Sequence, residues 1–267
     1  MPATWRRIVA LSATLAFVSD HRTKATRPLE WHHAARGLEW AVSRAHDMQL
    51  IVVRIDPSHY RFSLAAAISP GGTTPLWTVD HAPSTAALAL NAGQFTGAAP
   101  WGWIVHEGIE ARPPGVGPLS TAVIFGRDGR VRLVEADALP PVRDSGIAEE
   151  AIQSYPTLLH DHGDLPAALT ASSSPIDLAH RDGRLAIGLS PDGVVVIALT
   201  RYDFVLPGAM GPTIPEMAEI MRSLGCTRAV ALDGGLSSQL LLRDTATTAH
   251  LWHGWRAVPI GLFATAR

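Results

Sequence analysis

The stretch RAVALDGGLSSQL, residues 228–240, joins a short apolar run to an acidic residue and a flexible turn. Four apolar residues, Ala229–Leu232, are typical of a short buried strand, and Asp233 stands at its end. Small residues that can turn sharply or hydrogen-bond a ligand follow at Gly234, Gly235, Ser237 and Ser238. Glycines let peptide N–H groups point at a ligand, and serine hydroxyls both donate and accept. The pattern predicts either a site for an anionic substrate or an ordinary turn in which Asp233 accepts local N–H bonds.

The residues before this strand predict the clearest helix of the chain. Thr213 and Glu216 have the spacing of a capping box, and Gly225 supplies a C-terminal stop. Apolar residues recur at helical spacing, at Ile214, Met217, Ile220, Met221 and Leu224. Because the helix leads directly into the strand before Asp233, its apolar face should pack on the sheet that carries this carboxylate.

Most of the remaining chain has the alternation and the turn residues of short strands. Two hairpins are clearest, residues 121–125 with 131–134 and residues 185–189 with 194–199, each with a turn glycine. Further strands are expected at residues 38–43, 50–55, 61–67, 86–90, 240–242 and 258–263. Residues 96–120 and 250–255 show no clear period and are predicted to be loops. We therefore predict a single α+β domain with a mostly antiparallel or mixed sheet and few helices.

The composition excludes several classes of function. The 267 residues are 47% hydrophobic and 17% charged, which is enough for one large core. Because 22 basic residues face 24 acidic ones, bulk binding to nucleic acid is not expected. Cys226 is the only cysteine, so neither an intrachain disulfide nor a cysteine zinc site can form. The 12 histidines leave a site of His and Asp ligands open, but no HExxH spacing occurs, and we predict no metal and no cofactor.

The N-terminal residues resemble an export signal. Arg6 and Arg7 precede the apolar run Ile8–Val18, which is too short to span a bilayer as an ordinary helix. The alternative is a disordered tail. We predict a signal or tail over residues 1–27, a functional domain over residues 28–267 without a membrane span, and a periplasmic or extracellular location.

Several segments, in the same order, resemble the phosphodiester glycosidase family, whose members include the enzyme that uncovers mannose 6-phosphate on lysosomal glycoproteins. ALDGGLSS (231–238) resembles its strand-Asp-Gly-Gly-Gly-Ser-Ser signature, and the segment before it (211–230) resembles the helix that leads there. RLAIGLSPDGVVVIALT (184–200) is similar to its Arg-x-Ala-Ile-Gly hairpin. NAGQF (91–95) resembles its Asn-Gly-Gly-Phe-Phe motif, and AIQSYPTLL (151–159) resembles the Gln-Ser-Gly-Pro motif of its bacterial branch. Leu236, Tyr155 and Gln94 depart from these motifs, and the departures leave room for a changed pocket or for lost activity.

The resemblance implies a hydrolase that cleaves the anomeric C–O bond of a sugar phosphodiester, with a glycan or sugar phosphate as substrate. Asp233 would be the base or the nucleophile, and Arg184 would hold the phosphate with its planar guanidinium. The turn after Asp233 would be a second phosphate cradle. The other residues predicted to bind substrate are Asn91, Gly93, Gln153, Ser154, His180 and Arg181. All of this requires that Asp233 and Arg184 share one cleft.

Each of these residues also has a structural alternative. Arg184 would simply pair with Asp182, Asn91 would cap a strand end, and Gln153 would satisfy loop backbone. Two other functions stay open: a non-catalytic cell-envelope module that binds glycans with Trp101 and Trp103, and a metal-assisted phosphodiesterase that cuts the P–O bond.

Overall fold

The computed structural model describes residues 29–46, 48–66, 76–97, 99–202, 211–245 and 248–267. The predicted export segment, residues 1–27, lies outside these ranges, and the division of the chain at residue 28 stays a prediction. Within the described ranges, no helix is long and apolar enough to cross a membrane.

Strands dominate the described part of the chain. They are β1 (His32–Ala35), β2 (Leu38–Ala45), β3 (Met48–Ile55), β4 (Tyr60–Ala66), β5 (Ala86–Asn91), β6 (Gln94–Thr96), β7 (Ala99–Trp101), β8 (Ile104–His106), β9 (Ile109–Arg112), β10 (Thr121–Gly126), β11 (Val131–Glu135), β12 (Ala148–Ser154), β13 (Thr157–Leu159), β14 (Leu185–Leu189), β15 (Val195–Arg201), β16 (Arg228–Leu232), β17 (Leu240–Arg243), β18 (Ala249–Trp252) and β19 (Ile260–Ala266). The two α-helices are α1 (Leu139–Asp144) and α2 (Ile214–Ser223).

The strands form three large sheets. The central sheet has seven strands in the order β1-β2-β3-β15-β14-β16-β13. Two five-stranded sheets have the orders β11-β10-β12-β8-β9 and β18-β17-β5-β19-β4, and β6 pairs with β7 alone. All strand pairings among the described residues are antiparallel. The predicted sheet is therefore antiparallel rather than mixed.

Both faces of the central sheet are covered. Along β16, Val230 and Leu232 join the main core shared with the other two large sheets. Ala229 and Ala231 point to the other face, into the cluster formed with Met217 and other residues of α2. A strand buried on both faces has a continuous apolar sequence instead of an alternating one, and this explains the run that precedes Asp233.

Small residues on the helix side let α2 lie close to the sheet. A Cβ atom at Gly188 of β14 would stand 2.8 Å from both the Arg228 carbonyl oxygen and the Cys226 sulfur, and 2.9 Å from the Met221 terminal methyl. The closest of these atoms belong to the backbone and to buried side chains, so only glycine fits. The predicted packing of α2 on this sheet is confirmed.

The local predictions succeeded where turn residues or caps fix the geometry. Both hairpins and α2 are confirmed, and Thr213 accepts a bond from the Glu216 N–H while the Glu216 carboxylate accepts one from Thr213. The predicted loops were wrong: residues 96–120 contain β7, β8 and β9, and residues 250–255 contain the end of β18. The fold is mostly β with few helices, and its placement in the α+β class stays a prediction.

Candidate functional site

Asp233 lies where β16 ends, and its backbone is fixed from the neighbouring sheet. The fully buried Asn91, at the end of β5, donates from Nδ2 to the Asp233 carbonyl over 2.8 Å and accepts from the Gln239 N–H over 3.0 Å. The Asp233 N–H donates to the carbonyl of Gly93 over 3.3 Å. Asn91 thus holds the turn after β16 at both ends.

The carboxyl group of Asp233 is incompletely satisfied. Its Oδ2 is buried and has no hydrogen-bond partner among the described residues. Burial raises the pKa of Asp233 above 3.8, and the charge of Asp182 raises it further, whereas the Ser237 hydroxyl and the charge of Arg256 lower it. A buried oxygen without a partner costs stability, and such atoms in native proteins commonly have a function.

A second polar atom of the same turn is also unsatisfied. The hydroxyl of Ser238 is buried and has no partner among the described residues. The backbone N–H groups nearby are in use, because Gly235 donates to the Gly183 carbonyl, Ser237 to Gly234 and Ser238 to Gly235. The predicted cradle of N–H groups is therefore wrong at Gly235, and the side chains of the turn are the better candidates for ligand contacts.

A second carboxylate, Asp182, stands beside the turn. A Cβ atom at Gly235 would lie 2.6 Å from the Asp182 Oδ2, so this carboxylate packs directly on the glycine. Asp182 Oδ1 accepts hydrogen bonds from the Gly183 N–H over 2.7 Å and from the Tyr202 hydroxyl over 2.5 Å. The negative charge of Asp182 contributes, after burial, to the raised pKa of Asp233.

The backbone of Arg184 reaches the site, but its guanidinium is held by backbone carbonyls. A Cβ atom at Gly234 would lie 3.5 Å from the Arg184 Cα. The Arg184 side chain donates to the carbonyls of Pro212 over 3.1 Å and His180 over 2.6 Å, and burial lowers its pKa. Among the described basic side chains, Arg256 is the one whose charge acts on the Asp233 carboxyl. The Arg184 backbone thus lies next to Gly234, and the sharing of one cleft by the Asp233 and Arg184 side chains stays a prediction.

A small cleft opens beside the turn and contains another arginine. Its volume is about 20 Å³, and its walls include Arg201, Tyr202, Ser238 and the exposed Leu236 and Trp255. A cavity of this size holds about one water molecule. The half-buried Arg201 guanidinium makes no ion pair or hydrogen bond with the part of the chain that the structure describes, which leaves it available for an anion.

The other predicted residues are engaged in structural contacts. Ser154 donates to the Ala231 carbonyl over 2.6 Å, and so supports β16. The amide of Gln153 bonds backbone groups of the neighbouring loop, since it donates to the Leu119 carbonyl and accepts from the N–H groups of Trp103 and Gly115. Gln153 thus satisfies loop backbone, which is the structural alternative given above for this residue. Its role in binding substrate stays a prediction.

The two remaining basic residues, His180 and Arg181, directly precede Asp182 in the sequence. Arg181 makes two bonds to the Glu216 carboxylate, of 2.8 and 2.6 Å, and another to the Gly211 carbonyl. It therefore fastens the N-terminus of α2. The exposed His180 places its Nε2 3.7 Å from Asp182 Oδ2. Of these two, only His180 is placed to act on the carboxylate pair.

Of the two tryptophans considered for a sugar platform, one belongs to the core. Trp103 is buried, and its Nε1 donates to Glu110 over 2.8 Å. Trp101 is half-buried, and its ring meets that of Tyr155 edge-on at 5.7 Å. No cluster of three or more His, Cys, Asp or Glu side chains in the described ranges is arranged to hold a metal ion.

Comparison with known families shows to which family the chain belongs. The family model described as phosphodiester glycosidase matches residues 84–265, more than half of the chain. The chain belongs to the phosphodiester glycosidase family. The match includes the motifs at residues 91–95, 151–159, 184–200 and 231–238, so the resemblance predicted from them is confirmed.

Solved structures show the same fold at low sequence identity. The catalytic domain of zebrafish N-acetylglucosamine-1-phosphodiester alpha-N-acetylglucosaminidase, auto-inhibited by its pro-peptide, has a TM-score of 0.68 at 17% identity, over 91% of this chain and 88% of that one. A hypothetical protein from Synechocystis has a TM-score of 0.59 at 17% identity, over 91% of this chain and 64% of its own. No curated protein matches the chain significantly.

Three charged residues around the phosphodiester glycosidase signature were missed from the sequence. Asp182 was considered only as a partner of Arg184, although it packs on Gly235. Arg201 directly follows the segment 184–200 that carries the resemblance, at the end of a strand that pairs with β14. This position was the signal in the sequence that could have identified Arg201 as a candidate. Arg256 lies between the predicted loop 250–255 and the predicted strand 258–263, and no sequence pattern connects it to Asp233.

Proposed function

We propose that the protein is a hydrolase that cleaves the bond between the anomeric carbon of a sugar and a phosphodiester oxygen, releasing free sugar and a phosphate monoester. Family membership supports an enzyme that acts on a sugar-type substrate.

The carboxyl group of Asp233 carries the proposal. It is half-buried, one oxygen lacks a partner among the described residues, and its pKa is raised by burial. A raised carboxyl pKa moves the group towards the range in which it exchanges protons with a substrate near neutral pH. The neighbouring Asp182 supplies the second carboxylate that glycoside hydrolysis ordinarily uses.

The chemistry follows from the bond that breaks. The electron pair of the C–O bond leaves with the phosphate oxygen, and positive charge develops on the sugar ring. Asp233, as a base, takes a proton from water whose oxygen bonds to the anomeric carbon; as a nucleophile, it forms an ester that water then hydrolyses. Proton NMR of the first product anomer separates the two routes, because the direct route inverts the configuration and the covalent route retains it.

The released phosphate needs a cation in the cleft. Arg201 fills this role best, because its guanidinium lines the cleft without a partner in the described residues and can contact two phosphate oxygens. Ser238 lines the same cleft, and its buried hydroxyl, which has no partner among the described residues, would supply a donor. Arg184 supports the site indirectly by holding the carbonyls of Pro212 and His180 in place.

The sugar would lie across the mouth of the cleft rather than inside it. The cleft of about 20 Å³ is far smaller than a sugar ring. Trp255 at the mouth is 66% exposed and Leu236 is 60% exposed, and together they offer an apolar surface for one ring face.

The test is release of free sugar from a sugar-1-phosphodiester by purified protein. Asp233→Asn and Arg201→Gln should each lower the rate at least a hundredfold, because they remove the base or nucleophile and the phosphate contact. Asp144→Asn, at the exposed end of α1, is the matched control and should keep the full rate. Unchanged turnover in both site variants would reject the assignment.

The product and the binding behaviour separate the alternatives. A glycan-binding module would bind the substrate without releasing product, and Trp255→Ala would weaken that binding. A metal-assisted phosphodiesterase would release a sugar phosphate and would lose activity with a chelator. Export stays a prediction from residues 1–27, which fractionation of cells that express the full chain would test.

A further inference from the structure

A second cavity, of about 380 Å³, lies beside the hairpin of β10 and β11. Its floor includes the buried rings of Phe62 and Phe125, which stack with centroids 4.7 Å apart. Its volume falls in the range of small-molecule sites, which spans about 300 to 1,000 Å³.

The walls of this cavity are strongly basic. Four arginines line it, and Glu149 is the single acidic side chain among the described lining residues. The four are Arg61, Arg127, Arg130 and Arg267. Side-chain charges alone therefore give an excess of three positive charges, which attracts an anion and repels a cation.

The acidic residue orients two of the four arginines, and backbone carbonyls hold a third. Glu149 Oε1 accepts from Arg61 over 2.9 Å, and its Oε2 lies 3.5 Å from the Nε of Arg127. Arg267 Nε donates to the carbonyls of Pro57 and Tyr60, over 3.3 and 3.1 Å. The guanidinium of Arg130 makes no ion pair or hydrogen bond with any described residue. Three guanidiniums are thus positioned in advance and a fourth is available, which lowers the ordering cost of binding.

This basic cavity is remote from Asp233. Asp233 follows Leu232, which pairs with Leu185 at the start of β14, whereas the neighbouring cleft that shares Arg130 and Arg267 reaches Gly193 in the turn at the other end of β14. Five residues of extended strand separate the two ends, a distance of about 17 Å at the usual rise per residue. The inference is therefore independent of the reaction proposed at Asp233.

The neighbouring cleft limits the size of the ligand. It is lined by Asp56, Asp128 and Asp192, and each of these carboxyl groups has a lowered pKa because of hydrogen bonds from nearby groups. A long polyanion that extended from the basic cavity would meet these negative charges. A small ligand with one anionic group avoids them.

We propose that the basic cavity binds a small phosphate ester, with the phosphate between Arg127 and Arg130 and the remainder of the ligand over the Phe62–Phe125 floor. Guanidinium groups match phosphate oxygens in pairs, and the aromatic floor suits the apolar face of a small organic group.

Isothermal titration calorimetry at low salt tests the proposal, with inorganic phosphate and glucose 6-phosphate as probes and glucose as the neutral control. We expect one glucose 6-phosphate per chain at this cavity, no binding of glucose, and weakening of at least about tenfold in Arg127→Gln and Arg130→Gln. Arg112→Gln removes the same charge from the exposed end of β9, outside the cavity, and should stay within about twofold of the unmodified chain.

A further variant distinguishes phosphate binding in the basic cavity from phosphate binding near Asp233. Arg201→Gln removes the free guanidinium of that cleft and should leave the binding of glucose 6-phosphate here unchanged, whatever it does to sugar release. Loss of binding in Arg201→Gln with retention in Arg127→Gln and Arg130→Gln would overturn the assignment, and so would equal weakening in Arg112→Gln. Tighter binding of a polyphosphate chain, per phosphate, than of glucose 6-phosphate would contradict the limit on ligand size.

Discussion

The contact between Gly235 and Asp182 makes a substitution at this glycine a direct test of the site. Gly235 has φ +58°, where an alanine side chain costs about 1 to 2 kcal/mol. The new Cβ atom would stand 2.6 Å from Asp182 Oδ2, so the carboxylate must move. Moving it disturbs the bonds from Tyr202 and the Gly183 N–H, at about 1 to 3 kcal/mol for bonds to a charged group. We expect Gly235→Ala to lower the free energy of unfolding by about 2 to 5 kcal/mol, from the sum of these two effects.

Gly193→Ala is the matched control for this experiment. Gly193 has φ +84° and an added Cβ there meets nothing within 4 Å, so only the backbone cost of about 1 to 2 kcal/mol applies. Urea unfolding measures both variants, and the difference between them isolates the displacement of Asp182. Sugar release should fall at least tenfold in Gly235→Ala and stay unchanged in Gly193→Ala. Unfolding free energies that agree within about 0.5 kcal/mol would refute the reasoning about Asp182.

Three further predictions concern charge, capping and the cysteine. Asp182→Asn removes a negative charge that raises the pKa of Asp233, so this pKa should fall. Because protonated Asp233 would be inactive, the acidic limb of the kcat/KM profile should then move to lower pH, and a shift to higher pH would contradict the sign. Asp192→Asn, at the distant turn, should leave the acidic limb in place. Thr213→Ala removes the cap of α2 and should lower the free energy of unfolding by about 1 kcal/mol in urea titrations, whereas Thr213→Ser should retain it; equal losses would speak against the cap. Cys226 is buried and its pKa is raised to about 12, so a thiol reagent should label it only after unfolding, and rapid labelling of the native chain would disprove its burial.

The sequence predicted those elements whose geometry is encoded by neighbouring residues. The hairpin of β14 and β15 follows from its glycine turn, and α2 follows from Thr213 and Glu216. The three-residue strands β7 and β8 were missed because so short a segment shows no period, and their pairing depends on partners elsewhere in the chain. β4 follows β3 closely in the sequence but pairs with β19, about 200 residues away, and no local pattern predicts such a partner.

The residues of the candidate site also differ in whether neighbouring residues in the sequence identify them. Asp233 and Asn91 were identified because each belongs to a motif that resembles the family, and the structure brings them together. Asp182, Arg201 and Arg256 belong to no such motif, and only folding places them around the turn. The contacts of Gln153 also could not be foreseen, because its amide is used by backbone groups from two separate loop segments.

The tight fit at Gly188 has a consequence for how such a protein diversifies. No side chain can be added at this point of β14 without forcing α2 off the sheet. The strand and the helix therefore cannot change independently of each other at this contact. The segments that border the cleft, by contrast, carry exposed side chains such as Leu236 and Trp255 and have room to vary. We expect relatives with different substrates to differ at this rim, while the buried layer beneath it keeps the residue at the Asp233 position in the same place.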